Sequence, residues 1–218
     1  GKDIVLPYLK HQHIEHLDTL IVSHSDNDHL GGAQALIDKL AIGTILTSQP
    51  QYLPSSRPCY RGQTWQWDGV TFELLHPKLG QTANDNNLSC VLKISTPEHQ
   101  LLLTGDIEKQ AEQQLVKYYG KRLKSTVLIA PHHGSKSSST QSFIEHVQAD
   151  YVLFPAGYLN RYHFPAKSVQ QRYLQSGART YITGEQGAIT LQLLSGQKPK
   201  IQSQRQHNKK IWTMKLSD

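Results

Sequence analysis

No run of apolar residues approaches the roughly eighteen needed to cross a bilayer, and no signal peptide stands at Gly1, so this stretch is expected to be soluble. Cysteine is scarce. Cys59 and Cys90 are the two present, too few to carry a fold on disulfides; they can pair or remain buried thiols, and their number does not fix the redox compartment. No internal repeat or low-complexity segment occurs, which excludes a repeat array. Acid is in short supply: 17 Asp and Glu stand against 23 Lys and Arg, a formal charge of +6 that favours a polyanionic partner. The excess sits late, at Lys198, Lys200, Arg205, Lys209, Lys210 and Lys215, within a basic segment of about 196–218 that can equally be a solvated edge. The 218 residues suffice for a full core, and one domain over 1–218 is the expectation.

What the chain does have is histidine beside aspartate. The apolar run Leu17–Ser23 leads straight into His24-Ser25-Asp26-Asn27-Asp28-His29-Leu30-Gly31-Gly32. Such a run reads as a buried strand that stops where the polar groups begin. Two imidazoles and two carboxylates packed together are costly unless a cation holds them. The plainer alternative is a helix start capped by Asp28, with histidines facing water.

The pattern recurs along the chain. Apolar runs predict strands over Asp18–Ser23, Thr44–Thr47, Val70–Leu75, Leu88–Ser95, Gln100–Thr104, Thr126–Ala130, Tyr151–Phe154, Thr180–Thr183 and Ala188–Leu194. Helical spacing predicts helices over roughly Ala33–Leu40 and Glu108–Tyr119, and the whole is an α/β layer architecture. Thr96–His99 and Gly184–Gly187 read as hairpin turns, and Pro50–Gln63 as a loop. Four of these strands end in a polar cluster: the His/Asp loop, Gly105-Asp106-Ile107-Glu108, Pro131-His132-His133-Gly134-Ser135, and Asn160-Arg161-Tyr162-His163. Active sites of α/β proteins lie along that carboxyl edge.

Each cluster suggests chemistry. Asp106 is placed to bridge two metal ions, or else to cap the following helix; Glu108 is a supporting acid or a first-turn charge. Of His132 and His133, strand alternation would aim one into the site and the other away or toward a substrate. Ser135 and Lys136 offer a hydroxyl and a charge suited to phosphate oxygens. Asn160, Arg161, Tyr162 and His163 can together hold a phosphodiester and protonate or stabilise a leaving oxygen. His11, His13 and His16 precede the first strand and read as a solvated face, and Trp65 and Trp67 as packing rather than a base-stacking platform.

With these motifs in view the chain resembles the metallo-β-lactamase superfamily, whose fold is an αββα sandwich with a di-metal site between two sheets. Within it the chain is most similar to the carboxy-terminal domain of the ComEC family, DNA-uptake channels of naturally competent bacteria. The residues that carry this are Leu6–Lys10, Ser23–Gly32, Asn86–Ser89, Leu102–Glu108, His132–Ser135, Asn160–Pro165 and Gly187–Ile189. Two departures stand out. The usual first motif is His-x-His-x-Asp-His, but Asp26 replaces the second histidine. The usual histidine before the bridging aspartate is missing, with Asn87 or Ser89 in that region and His99 on a hairpin turn. Strands that precede Leu6 in the superfamily are also absent, so the expectation is a fragment lacking its N-terminal strands.

The resemblance implies a metal-dependent phosphodiesterase that degrades DNA, namely the strand not taken up during natural transformation. It implies two divalent ions: one on Asp28, His29, His132 or His133 and the shared Asp106, the other on His24, Asp26 and Asp106. Replacing imidazole by oxygen donors shifts preference from Zn²⁺ toward Mn²⁺ or Mg²⁺, with Mn²⁺ first. Asp28, Asp106, His132, His163 and Asn160 are the expected catalytic residues, and Ser135, Lys136, Arg161 and Tyr162 the substrate contacts. The implied partners are single-stranded DNA bound without sequence preference, other DNA-uptake proteins, and an upstream transmembrane channel and oligonucleotide-binding-like domain. The implied setting is the periplasmic side of a bacterial inner membrane. A small-molecule phosphodiester or lactone hydrolase, and a non-catalytic DNA-binding module with a degenerate metal site, are the alternatives.

Overall fold

A computed structural model describes residues 1–207, so Lys209, Lys210 and Lys215 of the basic segment lie outside the described residues. The chain opens with α1 (Val5–His11) and a parallel sheet of β1 (His16–Val22), β2 (Ala41–Thr47) and β3 (Arg57–Pro58). Two short helices, α2 (Asn27–Leu30) and α3 (Ala33–Ile37), join β1 to β2. A second sheet is built from β4 (Thr64–Trp67), β5 (Val70–His76), β6 (Val91–Ser95), β7 (Gln100–Leu103), β8 (Val127–Ile129), β9 (Tyr151–Phe154) and β10 (Arg179–Ile182). Its order runs β10-β9-β8-β7-β6-β5-β4, antiparallel from β4 to β7 and parallel from β7 to β10. The parallel crossovers are α4 (Lys109–Tyr119), α5 (Gln141–Val147) and α6 (Lys167–Gln175). After α7 (Thr183–Gln186), a separate antiparallel pair, β11 (Ile189–Gln192) and β12 (Lys200–Ser203), leads into α8 (Gln204–His207). Among the described residues no helix is long and apolar enough to cross a membrane.

Strand alternation sorts the side chains into layers. Leu20 and Val22 face Ala33, Ile45 and Leu53 on the outside of the first sheet. Ile21 faces inward with Leu46, joining Leu74, Leu92 and Leu103 between the two sheets. Leu75, Val91 and Leu102, alternating with those, face the other way into the main core with Leu115, Phe143, Ile144 and Val169 from α4, α5 and α6. The result is the αββα sandwich expected from the resemblance. A disulfide between Cys59 and Cys90 joins the end of β3 to the start of β6 within the inter-sheet layer, deciding the question the cysteine count left open.

Several expected elements differ. The Gly184–Gly187 turn is not a hairpin: β10 pairs with β9, and β11 pairs with β12. Thr183–Gln186 is a helical turn instead, and Gly187, at φ +76°, redirects the chain out of the sheet. The Pro50–Gln63 loop contains β3, two residues that extend the edge of β2. The helix expected to reach Leu40 ends at Ile37. Trp65 lies within β4 and stacks on Phe72 with ring centroids 5.3 Å apart.

Candidate metal centre

The carboxyl ends of β1, β7, β8 and β9 meet at one cleft. A tight turn after β7 delivers Asp106. Gly105 has φ +55°, and a Cβ there would stand 2.9 Å from the Cβ atoms of both Ser23 and Ser89, so glycine alone lets these three segments close on one another. After β8, His132 (φ +48°) and His133 (φ +53°) are left-handed, followed by Gly134 at φ +84°. A left-handed conformation costs an ordinary residue about 1–3 kcal/mol and clusters at functional sites. Its effect here overturns the expected alternation: both imidazoles turn toward Asp106, with Nε2–Oδ2 distances of 3.9 Å for His132 and 3.3 Å for His133.

Asp106 is the hub. It is 4% exposed, and His29 Nε2 lies 3.2 Å from its Oδ1. Burial would raise its carboxyl, but the contacts with His133 and His29 outweigh burial and hold it well below the usual carboxylate range. The same carboxylate raises His133, against the lowering effect of burial. Asp28 closes the ring, with Oδ2 3.3 Å from His133 Nε2 and 3.8 Å from His29 Nε2. Asp28, His29, Asp106 and His133 each bring a donor atom within 4.8 Å of the others.

These residues fit a divalent cation. Nε2 of His24, His29 and His133 is buried in each case and makes no aligned hydrogen bond, although such atoms are rarely left unpaired. The opposite nitrogens are engaged: His133 Nδ1 donates to Pro155 O at 2.9 Å, and Ser23 Oγ lies 3.0 Å from His29 Nδ1 and 3.1 Å from His24 Nδ1. The carbonyl partner puts the proton of His133 on Nδ1, so its Nε2 lone pair faces Asp106 and Asp28, as a metal ligand requires.

The second expected ligand set is looser. His24 is fully buried, and its Nε2 stands 3.6 Å from Asp26 Oδ2, while Asp26 is half exposed. Burial, then the neighbouring His29, pushes the His24 imidazole toward its neutral form. Neither Asn87 nor Ser89 presents a free group. Asn87 Oδ1 accepts from the amides of Glu108 and Ala111, steadying the start of α4. Ser89 Oγ accepts from the Asp106 amide at 3.0 Å and lies 3.3 Å from His24 Nδ1.

Glu108 stands at the N-cap of α4, but its side chain turns to the site instead of capping the helix. Its Oε1 lies 3.3 Å from His132 Nδ1, and its Oε2 accepts from Asn84 and Asn87. Although burial opposes it, hydrogen bonds from Ser137 and Asn84, with the charge of His132, hold this carboxyl low. The cleft in front of the cluster encloses about 460 Å³ and is bounded by Asp26, His132, Asn160, Tyr162 and Phe164 among others.

The remaining expected residues fall unevenly. The Asn160 amide is committed to its own loop, donating to Gly157 O and Phe164 O while Oδ1 accepts from the Phe164 amide. His163 and Lys136 are exposed and outside the cleft wall, and Ser135 is buried with its hydroxyl on Ser137. Arg161 lies exposed beside Tyr162. His11 and His16 flank the opposite end of β1. Two participants escaped the sequence reading: Ser23, between two imidazoles, and Asp85, which fixes Ser25 at 2.5 Å and also accepts from Gln49.

Comparison with known proteins agrees with this architecture. The chain is 39% identical over 192 residues to Competence protein ComA of Neisseria gonorrhoeae, covering 88% of this chain and 28% of that protein. It is 35% identical over 186 residues to Recombination protein 2 of Haemophilus influenzae, covering 83% and 23% respectively. The chain therefore spans 23–28% of the length of these relatives. The fold aligns with CmlA, a diiron β-hydroxylase from Streptomyces venezuelae, at a TM-score of 0.50 and 12% identity, over 76% of this chain and 43% of that one. That likeness concerns the fold alone. A model of the metallo-beta-lactamase superfamily matches residues 1–157, a span that includes every donor of the four-residue cluster, and the chain belongs to that superfamily.

Proposed function

We propose that this domain is a metal-dependent phosphodiesterase that cleaves DNA without sequence preference, and that in the longer protein it removes the strand that is not transported. The observation that carries the reading is the convergence of Asp28, His29, Asp106 and His133 on one point, with the buried Nε2 atoms of both histidines left without a hydrogen-bond partner. These four residues would hold one divalent ion, and His24 and Asp26, with the shared Asp106, a second. Bound there, a divalent cation supplies Lewis-acid stabilisation of phosphoryl oxygens and acidifies water at neutral pH. Carboxylates outnumber imidazoles around the second position, which favours Mn²⁺ or Mg²⁺ over Zn²⁺.

The protein's own groups supply the rest. His132 borders the cleft, and the Glu108 carboxylate 3.3 Å from its Nδ1 orients the ring. It is suited to protonate the leaving oxygen, the role general acids fill in such reactions. Asp28, half in solvent, can orient the attacking water. Arg161 and Lys136 recruit the backbone by charge, as sequence-independent binding requires. Asn160 serves as a positioning residue through its loop rather than by touching phosphate. The Cys59–Cys90 disulfide supports an oxidising, extracytoplasmic setting, with a transmembrane channel, an oligonucleotide-binding-like domain and other DNA-uptake proteins as partners.

The test is cleavage of end-labelled single- and double-stranded DNA by the purified chain with EDTA, Mg²⁺, Mn²⁺ or Zn²⁺. Mn²⁺-dependent cutting that is lost in both Asp28→Ala and Asp106→Ala is the expected result. Metal binding without cutting would leave a DNA-binding module, and hydrolysis of a small diester with DNA intact would point to a small-molecule hydrolase.

A further inference from the structure

Beside the metal cluster runs a series of near-parallel rings. His133 and Phe164 lie 6.2 Å apart at 21°, and Phe164 and Tyr162 lie 5.5 Å apart, also at 21°. These are offset-stacked distances. The series starts at a residue of the four-donor group, passes a half-buried phenylalanine and ends at Tyr162, which is 60% exposed and borders the same cleft. The Arg161 guanidinium sits 4.7 Å from the Tyr162 centroid and donates to its hydroxyl. The loop holding these rings is built rigidly: the Asn160 side chain donates to the Phe164 carbonyl and accepts from the Phe164 amide, both at 2.8 Å. Beyond its contacts with Phe164 and Arg161, the Tyr162 ring on this pinned backbone stands mostly in solvent. Its neighbours on the loop, Tyr158 and Leu159, are also exposed.

We infer that Tyr162 is a stacking platform for a nucleobase adjacent to the reacting phosphate, with Arg161 on the flanking backbone, and that it makes the site selective for single-stranded over double-stranded DNA. This deepens the phosphodiesterase reading and rests on it. Bases in a duplex already stack on each other, so only an unpaired base can use an external ring. Base–aromatic stacking tolerates any sequence because every base has a π-face, and an arginine beside the ring adds cation–π attraction and phosphate charge pairing. Tyr162 lines the same cleft as Asp106 and His133, so a base on its ring would lie beside the metal cluster.

The test uses the full chain with Mn²⁺ and single-stranded oligonucleotides carrying one abasic position, moved stepwise past the cut site. The wild type should show one position where loss of the base raises KM. Tyr162→Ala should raise KM for the intact strand roughly five- to a hundredfold, as loss of one stacked base does. It should also erase the abasic penalty, while Tyr162→Phe keeps both. Mn²⁺ affinity measured by calorimetry shows that each variant remains folded at the site. An abasic penalty that persists in Tyr162→Ala, or an unchanged KM, overturns the inference while leaving the nuclease reading intact. If the wild type cuts no DNA, the phosphodiesterase reading fails separately. Equilibrium binding then decides the stacking: equal affinity of wild type for intact and abasic strands overturns it, and weaker abasic binding lost in Tyr162→Ala supports it.

Discussion

Ser89→Ala removes a single buried oxygen, and its consequences can be worked from the contacts. Ser89 is fully buried, and its Oγ accepts the Asp106 amide hydrogen at 3.0 Å and lies 3.3 Å from His24 Nδ1. Alanine leaves the Asp106 N–H without a partner where water does not reach it. A lost hydrogen bond contributes about 1 kcal/mol and an orphaned buried donor about 1–3 kcal/mol, so the variant should lose about 2–3 kcal/mol of stability. For a domain of this size that lowers Tm by about 4–12 °C. The carboxylate of Asp106 would also lose its fixed orientation, and His24 one of two hydroxyls on Nδ1. Disturbing groups that orient ligands typically weakens metal binding by about 10–100-fold. Thermal unfolding with EDTA reads the first effect, and Mn²⁺ titration calorimetry reads the second. If Ser89 were itself a ligand, the pattern would differ. A variant with unchanged Tm that binds one ion fewer would refute the positioning role.

Two further perturbations follow from buried cross-links. Reducing the Cys59–Cys90 disulfide, or replacing both cysteines by serine, releases a loop of 31 residues; chain entropy puts the loss at about 3–4 kcal/mol. Urea unfolding with and without reductant measures it, and equal midpoints would show that the bridge contributes nothing. Glu112→Gln is isosteric, yet Glu112 is fully buried and its two oxygens accept the Ser139 and Thr140 amides, tying the segment after His133 to α4. An amide group would set a donor against one of those N–H groups, so about 1–3 kcal/mol should be lost; an unchanged Tm would refute this account.

How much of this was legible in the sequence depends on where each signal lies. β9 falls on the expected Tyr151–Phe154 because a parallel strand covered on both faces is a continuous apolar run. α4 was legible from helical spacing alone, starting one residue later than expected. Three of the polar clusters could be read because each immediately follows such a run, while Asn160–His163 stands in the loop after β9. The β10–β11 hairpin failed for the opposite reason. Two short strands around a glycine-bearing turn look alike whether they pair with each other or with β9 and β12, and the choice is tertiary. The inward turn of both His132 and His133 was equally hidden, since strand alternation does not extend into left-handed backbone. Asp85 acts on Ser25 from 60 residues away, inside an unremarkable run of Asn and Asp.

The two halves of the site differ in a way that follows from one substitution. Around Asp106, two imidazoles and Asp28 stand within 4.8 Å, a compact set in which nitrogen and oxygen donors balance. On the other side His24 stands alone among nitrogen donors, its ring fixed by Ser23 and Ser89, and faces Asp26 across 3.6 Å. Asp26 occupies the position where the superfamily's motif has a second histidine. A carboxylate there replaces a neutral, softer donor with a charged, harder one, and does so at the solvent-facing edge, where Asp26 is half exposed. Charge at that edge is tolerable only because water shares it. The oxygen-rich half would therefore hold an ion by charge more than by geometry. Such a position would suit a hard, exchangeable cation, and metal titration calorimetry should then show two unequal affinities: the tighter on Asp28, His29, Asp106 and His133, the weaker on His24 and Asp26; two equal affinities would refute this account.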